Sequence, residues 1–309
     1  MSWSSPWPAV LLIGLVLPTG ALVVAVIDRA WGGFTARRSV GIAAIVVGPI
    51  RDGALLMLTR RSATERPDSQ AWLLAPAVVV SMAAAAVAAV PLSRGVAVAD
   101  VDDGIVLIGA AFALVMVGVY LHGWSANSPM PLIGGYRFVA LALSYEMPLA
   151  LVLIAAALPA QSLSVGAIIE SQHDLWNVVR QPLGLPLYLI AGLGLATWGP
   201  LNMADSADLA GGTTVEVSGP NRLVWEFARR AVIVAVAVVG AAVFLGGWQG
   251  PLLPGACWMA LKSVALVIVL TAAGHWLPKL RLERFVVLAW VALIPLALVN
   301  VFVSGALAL

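Results

Sequence analysis

Charged side chains interrupt segments of this sequence that are apolar enough to lie in a membrane. Glu146 follows the apolar run ALALSY, and Lys262 lies within CWMALKSVALVIVL. A charge in the hydrocarbon region is costly and often marks an ion or proton pathway. Carboxylates exchange protons, and burial moves the pKa of a lysine toward neutrality, so both groups suit a proton relay. We therefore expect proton movement to be one candidate activity.

Arg137 precedes Glu146 by nine residues in the same apolar region. At about 100° per residue, this spacing places the two side chains on opposite sides of one helix. Each therefore needs its own partner or a hydrated cavity. The plainer alternatives are an interfacial anchor for Arg137, a structural hydrogen bond for Glu146 and a snorkelling side chain for Lys262.

The composition predicts an all-α integral membrane protein. Of 309 residues, 61% are hydrophobic and 10% are charged, against about 25% charged in soluble domains. The single cysteine excludes an intrachain disulfide and a cysteine-built zinc or iron–sulfur centre. The sequence contains no P-loop or dinucleotide motif, and nothing in its net charge of +2 suggests binding to nucleic acid.

Apolar runs long enough to cross a bilayer as helices predict about eight transmembrane segments in one domain, residues 1–309. The predicted spans are 8–27, 71–91, 104–121, 139–159, 184–203, 231–248, 255–276 and 285–305. The interrupted apolar segment 42–59 is expected to form an interfacial, amphipathic helix. The charged segment 201–230 is expected to be a cytoplasmic loop, either solvated or docking another subunit.

The distribution of basic residues predicts the orientation. Fourteen of the 17 lysines and arginines fall in loops on one side of the predicted spans. Basic loops stay in the cytoplasm, so both termini are expected on the external side.

Several motifs together resemble the H subunit of NADH:quinone oxidoreductase, which forms the heel of the membrane arm of complex I. Residues 123–146, GWSANSPMPLIGGYRFVALALSYE, are similar to the family's GW-x-S-N…R…SYE pattern. EVSG at 216–219, FLGGWQGP at 244–251 and PKLRLERF at 278–285 resemble further family motifs. GPIRDGALLMLTRR resembles a family segment with Asp52 at its aspartate, and Lys262 falls at a family lysine.

One stretch departs from the family pattern. Where the family has AETNR-x-PFDLPEAE, this chain has GLATWGPLNMADSADLAGG, which retains only Asp205 and Asp208 as acids. Asn202 stands at the position of a family aspartate, and Arg229 lies close to that of a family carboxylate. In the family these carboxylates line the quinone tunnel and the start of the proton path.

The resemblance implies a multi-pass subunit in the bacterial inner (plasma) membrane. It implies contacts with the lipid bilayer, with other membrane-arm subunits and with soluble iron–sulfur and quinone-site subunits. Quinone is the implied cofactor, bound at a subunit interface, and none is expected to be bound covalently. The residues implied for a proton path are Glu146, Glu216, Lys262, Asp205 and Asp208. The residues implied for the quinone cavity or its supporting loops are Arg37, Arg38, Asp52, Arg137 and Arg222.

The function implied is that of a membrane anchor that couples quinone reduction to proton translocation, without a catalytic centre of its own. Three alternatives remain open. The chain could anchor a group 4 hydrogenase-like or ferredoxin-linked complex, or serve as a structural scaffold that has lost quinone chemistry. A stand-alone transporter is the alternative of another class, because the interrupted fifth span and the charges within spans are compatible with one.

Overall fold

A computed structural model describes residues 7–37, 41–94, 97–99 and 101–308. Over these ranges the regular secondary structure is entirely helical. The helices are α1 (Trp7–Thr35), α2 (Ile42–Leu58), α3 (Ser69–Ala88), α4 (Gly104–Ser125), α5 (Pro129–Ala157), α6 (Val165–Glu170), α7 (Asn177–Arg180), α8 (Gly184–Leu195), α9 (Gly219–Phe244), α10 (Gly255–Trp276), α11 (Leu282–Leu288) and α12 (Ile294–Ala308). A π-helical turn, Ala289–Leu293, joins α11 to α12.

Seven helical rods in the described ranges are long and apolar enough to cross a membrane. They are α1, α3, α4, α5, α9, α10 and the continuous segment Leu282–Leu307. The prediction of an all-α integral membrane protein is confirmed.

The fifth predicted span, 184–203, differs from the structure because its helix is short. The 12 residues of α8 extend about 18 Å, against about 30 Å of hydrocarbon. Beyond α8 the backbone turns through left-handed conformations at Thr197 (φ 48°) and Gly199 (φ 60°). The remainder of the predicted span is therefore irregular.

Two long helices begin earlier than their apolar runs predict. α5 begins at Pro129 and α9 begins at Gly219, followed by Pro220. Proline is favoured in a first helical turn, where its missing N–H is not needed. As a result Arg137 lies inside α5, and residues 219–230 of the predicted loop 201–230 are the first turns of α9.

The centre of the bundle is α9, which is almost completely buried. It packs against α1, α3, α8 and α10. Most of its residues beyond Arg230 are alanine, valine or glycine, and such small side chains allow neighbouring helices to approach closely.

The connecting segments gather at the two ends of the bundle. At the first end, Asp68 N donates to Ser125 O (2.9 Å) and Leu280 N donates to Pro200 O (3.0 Å). At the second end, Ile105 N donates to Leu163 O (3.0 Å). The segments at the first end are 59–68, 125–128, 199–218 and 277–281. The distribution of basic residues in the sequence predicts that these loops lie on the same side of the membrane.

Candidate functional site

A cavity of about 670 Å³ opens at the first end between α1, α2, α9 and the last turn of α10. We call it the charged cavity. Small residues line it on the α1 side, namely Ala25, Gly32 and Gly33 of α1 and Ala36 in the turn that follows. Its charged or titratable lining residues are Asp28, Arg29, Asp52, Arg222, Glu226, Arg230 and His275. Because these side chains are small, open space remains beside α1, and polar groups surround this space.

Ion pairs and a hydrogen bond connect the walls of the charged cavity. Arg29 Nη1 lies 2.5 Å from Asp52 Oδ2 and joins α1 to α2. His275 Nε2 lies 2.8 Å from Asp28 Oδ1 and joins α10 to α1. On α9, Glu226 lies between Arg222 (3.9 Å) and Arg230 (3.4 Å).

Three arginines and three carboxylates thus face one cavity, so its charges balance when His275 is neutral. A lining of this kind offers hydrogen-bond donors and acceptors without a strong preference for an ionic ligand. It suits a neutral molecule that carries polar oxygen atoms, such as the head group of a quinone.

Gly48 of α2 makes the Arg29–Asp52 contact sterically possible. A Cβ atom at this position would lie 2.4 Å from Cζ of Arg29, well inside van der Waals contact. The guanidinium group therefore lies directly over the glycine backbone, and any larger residue would displace it.

Of the residues predicted for the quinone cavity or its loops, Asp52 and Arg222 line the charged cavity. Arg37 lies in the turn after α1, next to the lining residue Ala36, and its backbone is left-handed (φ 51°). Arg38 lies outside the described residues. Arg137 lies elsewhere, on α5.

Sequence reasoning missed five lining residues, which are Asp28, Arg29, Glu226, Arg230 and His275. A usable signal existed for Asp28 and Arg29, since an adjacent acid and base at the end of a predicted span precede a glycine pair. His275 gave no comparable signal, because its partner is 247 residues away.

Asp205 and Arg229 form a buried ion pair between the 199–218 segment and α9. Their charged atoms are 2.9 Å apart, and their side chains are only 6% and 10% exposed. Arg229 also donates from Nε to Thr197 Oγ1 (2.9 Å) and from Nη2 to Thr197 O (2.6 Å). Thr213 donates its hydroxyl hydrogen to Asp205. The buried pair is thus supported by additional hydrogen bonds on both side chains, as a buried pair requires.

Close backbone packing holds Asp205 in place. Gly212 has a left-handed backbone (φ 53°), and a Cβ there would lie 1.7 Å from Ala204 O. Gly134 of α5 approaches the same carbonyl, at 2.5 Å from its own hypothetical Cβ. A side chain at either position would push the 204–213 turn away from the bundle.

Arg137 pairs with Asp208 on the surface of a second cavity of about 530 Å³. Arg137 Nη2 lies 2.8 Å from Asp208 Oδ2, and Nη1 donates to Ser206 Oγ (3.0 Å). A hydrogen bond from Ser206, and then the Arg137 guanidinium, hold the pKa of Asp208 below its ordinary value. Because the folded pKa is lowered, the resulting stabilisation is lost as pH falls through that value. The carboxylate is exposed, so this contribution is small.

Glu146 lies on the opposite side of α5 from Arg137, as the nine-residue spacing predicts. Its side chain is half-buried, and Oε1 is buried without a hydrogen-bond partner among the described residues. A buried carboxylate oxygen left unpaired is costly, and Glu146 supplies the one carboxylate oxygen among the buried unpaired side-chain atoms of the described residues.

Glu216 and Lys262 lie in different parts of the molecule. Glu216 accepts a hydrogen bond from Ser128 (2.9 Å), beside the start of α5 at the first end. Lys262 lies toward the second end, where Nζ donates to Gly247 O (3.0 Å) and Gln249 O (2.7 Å). It also lies 4.3 Å from the centre of the Trp176 ring. The described hydrogen bonds and ion pairs do not connect these two residues with Glu146.

The described residues contain no group of three histidine, cysteine, aspartate or glutamate side chains placed to hold a metal ion.

Comparison with known proteins identifies the family. The NADH dehydrogenase family model matches residues 8–305. The first H subunit of NADH-quinone oxidoreductase from Rhodopseudomonas palustris (strain BisB5) is 32% identical, with 95% of this chain and 97% of the relative covered. The second H subunit from Cereibacter sphaeroides (strain ATCC 17029 / ATH 2.4.9) is 32% identical over 89% of this chain and 90% of the relative. The H subunit from Syntrophotalea carbinolica is 30% identical over 84% and 81%. Because these matches extend along nearly the whole chain, the protein belongs to the H-subunit family of NADH-quinone oxidoreductases.

Proposed function

We propose that this chain is the membrane-anchor subunit of a complex I-like NADH:quinone oxidoreductase, and that the charged cavity admits the quinone head group. The observation that carries the proposal is the balance of charges around a polar cavity at the edge of an apolar bundle. Quinones are neutral and have carbonyl oxygens at the ring and an apolar tail. The exposed apolar side chains of α2, including Val46, Ile50 and Leu58, offer the tail a neighbouring lipid surface.

The partners proposed for the first end are soluble iron–sulfur and quinone-site subunits. Exposed basic residues are concentrated there, and they include Arg60, Arg61, Lys279, Arg281 and Arg284. The positive-inside rule assigns this end to the cytoplasm and both termini to the external side of a bacterial plasma membrane. Other membrane-arm subunits would cover part of the lipid-facing surface.

We also propose that Glu146 couples quinone reduction to proton movement. Its unpaired carboxylate oxygen supports this role, because protonation would remove the cost of keeping a negative charge on a half-buried carboxylate without a partner. Glu216, Asp208 and Lys262 remain proposed members of the path. Transfer between them would pass through water or partner residues, since no described hydrogen bond joins them to Glu146. We expect Asp205 to contribute less to the proton path than the other proposed residues, because its carboxylate is paired with Arg229.

Photoaffinity labelling tests the quinone role. A short-chain azidoquinone would be irradiated with the assembled complex, purified in mild detergent, and the labelled peptides would be identified. We expect labelled peptides from α1, α2 and the first turns of α9, competed by unlabelled quinone, together with co-purifying iron–sulfur subunits. Labelling confined to partner subunits would contradict the assignment of the quinone to the charged cavity. Co-purification of hydrogenase-like subunits would favour the alternative function, that of an anchor for a group 4 hydrogenase-like complex.

Replacing Glu146 with Gln tests coupling. We expect quinone reduction to continue while proton uptake into inverted vesicles is abolished, because glutamine cannot accept or release a proton. Glu65→Gln, at an exposed carboxylate of the first end, serves as the control. Normal proton uptake by Glu146→Gln vesicles would rule out this role.

A structural scaffold is the second candidate, and the Asp205–Arg229 pair favours it. The pair neutralises charge in a region where the family pattern has carboxylates. A scaffold would assemble with its partners and bind no quinone, so the labelling experiment distinguishes the two functions.

A further inference from the structure

A cavity of about 760 Å³ opens at the second end of the bundle. We call it the second-end cavity. It is surrounded by the segment after α3, the end of α6 and the α9–α10 loop, residues 245–254. The charged residues of its lining are Arg94 and Glu170, and both are exposed. The cavity is therefore accessible to a ligand and presents one charge of each sign.

The two opposite charges of the second-end cavity do not pair with each other. Neither Arg94 nor Glu170 takes part in an ion pair within the described part of the chain. His173, the third ionisable group of the lining, lies 3.0 Å from Asp174. A ligand that carries a negative and a positive charge at separate positions would complement the two unpaired groups.

Hydrogen bonds fix the wall that the α9–α10 loop contributes. Gln249 donates from Nε2 to Ile169 O (2.6 Å), which joins the loop to α6. Lys262 of α10 donates to two carbonyls of the loop. Trp258 of α10 donates from Nε1 to Pro251 O (2.8 Å). Because of these contacts, the wall is formed before any ligand binds.

The α9–α10 loop has the character of a segment at the membrane surface. It joins two membrane spans, and no charged residue occurs between Arg230 and Lys262. Trp248 lines the second-end cavity, and Trp176 lies against the nearby ammonium group of Lys262. Tryptophan is enriched at the level of the lipid head groups. We therefore expect the second-end cavity to lie at this level.

A strained turn presents an apolar side chain beside the cavity. Leu252 has a left-handed backbone (φ 73°), and Leu253 N donates to Pro251 O (2.9 Å) across it. Such a γ-turn with a positive φ is rare and strained. Leu252 is fully exposed, and Leu253, which lines the cavity, is half-exposed. Water would leave both leucines uncovered, whereas acyl chains below a bound head group would cover them.

We propose that the second-end cavity binds a phospholipid with a free amine, such as phosphatidylethanolamine. Arg94 donates to the phosphate, Glu170 accepts from the ammonium group, and Leu252 and Leu253 contact the acyl chains. Phosphatidylcholine has no N–H group to donate, and phosphatidylglycerol has no positive charge. Each of these two lipids therefore satisfies only part of the site.

Photolabelling in vesicles tests the proposal. The assembled complex would be reconstituted in phosphatidylcholine with a trace of phosphatidylethanolamine that carries a diazirine on its acyl chain, next to the glycerol. We expect labelled peptides from the α9–α10 loop. Unlabelled phosphatidylethanolamine should compete at a mole fraction about threefold to tenfold lower than phosphatidylglycerol requires, the effect of one hydrogen bond.

Three results would overturn the proposal. They are absence of label from the loop, equal competition by the two lipids, and competition by soluble phosphoethanolamine as effective as that of the lipid. The last result would assign the second-end cavity to a water-soluble ligand.

Two variants separate the head-group contacts. Arg94→Gln should reduce labelling about threefold to tenfold, because the phosphate loses a donor. Glu170→Gln should remove the preference for phosphatidylethanolamine over phosphatidylglycerol. Asp102→Asn is the matched control, since it removes an exposed carboxylate at the same end that does not line the cavity. An unchanged preference in Glu170→Gln would contradict the proposal.

Leu252→Asn tests the acyl-chain contact without endangering the fold. Asparagine adopts the left-handed backbone more readily than leucine, so the complex should assemble in normal yield. Labelling of the loop should nevertheless decrease, and labelling at the wild-type level would count against the site. None of these measurements requires turnover, so their outcomes do not depend on whether the complex reduces quinone.

Discussion

Arg229 shows, at the scale of the single residue, how a full charge is accommodated inside this bundle. Each of its three guanidinium nitrogens has a partner on Asp205 or Thr197. A buried charge without such partners costs several kcal/mol. The left-handed backbone of Thr197 allows this one residue to offer both its hydroxyl and its carbonyl oxygen.

Replacing Asp205 with Asn should destabilise the protein by about 3–5 kcal/mol, because Arg229 would remain buried without a counter-charge. Thermal unfolding of the purified complex and the yield of assembled complex would measure the loss. Asp208→Asn, which removes an exposed carboxylate from the same segment, should change stability by about 0.5 kcal/mol or less. The double variant Asp205→Leu, Arg229→Met should recover most of the loss. Equal stability of the two single variants would contradict this account.

Sequence could identify the individual charges but not their partners. Glu146, Lys262 and Asp205 are visible because charges in or beside apolar segments are rare. Arg229 reaches Asp205 because the turn that contains Gly212 packs closely against Ala204. This close contact is visible only in the folded chain.

At the scale of the element, Lys262 ties α10 to the 245–254 segment at the second end. Its ammonium group bonds two carbonyls of that segment and lies against Trp176. The sequence suggested a relay member or a snorkelling side chain, and the structure adds a third role as an anchor for the segment.

Lys262→Met should therefore accelerate amide hydrogen exchange in residues 245–254 about tenfold or more. Hydrogen bonds to a charged group are worth about 1.5–3 kcal/mol, and each 1.4 kcal/mol is about tenfold. Ser263→Ala is the control, since the Ser263 hydroxyl donates within its own helix, to Met259 O. Unchanged exchange together with abolished proton uptake would favour the relay role instead.

The helix α2 presents apolar side chains outward along its length. Ile42, Val46, Ile50 and Leu58 are exposed, and Gly48 is its one buried residue. We propose that this face lies in the membrane interface, as its sequence predicts.

Spin labels at Val46 and Ile50 should be relaxed more by oxygen than by a water-soluble nickel complex. A label at Arg51, exposed and charged on the same helix, provides the comparison. Equal relaxation of all three labels by the nickel complex would place α2 in water.

Element boundaries were predictable only where apolar length alone decides them. The rods α3, α4 and α10 lie close to their predicted ranges. The amphipathic first turns of α5 and α9 were missed, because polar residues there face neighbouring segments rather than lipid. The shortness of α8 depends on the left-handed turns that follow it.

At the scale of the whole molecule, the two ends of the bundle differ in charge. Seven arginines precede α3, and the first turns of α9 and the loop that follows α10 add more at the first end. The distribution of charge therefore predicts one orientation in the membrane.

Cysteine labelling in a Cys257→Ser background would test the orientation, since Cys257 is the one native cysteine. A membrane-impermeant maleimide should label Asp174→Cys, at a 96% exposed side chain, in intact cells. Ala63→Cys, exposed at the first end, should react only in inverted vesicles. The reverse pattern would invert the proposed topology.

The charged cavity is a property of the whole bundle, because α1, α2, α9 and α10 each contribute residues to its lining. Composition predicts a membrane protein, and motifs point to its family, but neither shows that Asp28 meets His275. Pairings of this kind depend on helix packing, which the apolar pattern of a single chain does not encode.

The shortness of α8 has a consequence for how the protein is made. A helix of about 18 Å leaves part of the hydrocarbon thickness unspanned, and α8 packs against α5, which is synthesised before it, and against α9, which is synthesised after it. We therefore expect α8 to be held only loosely in the membrane until α9 has been inserted. Insertion of this protein would then be completed by groups of helices rather than one helix at a time.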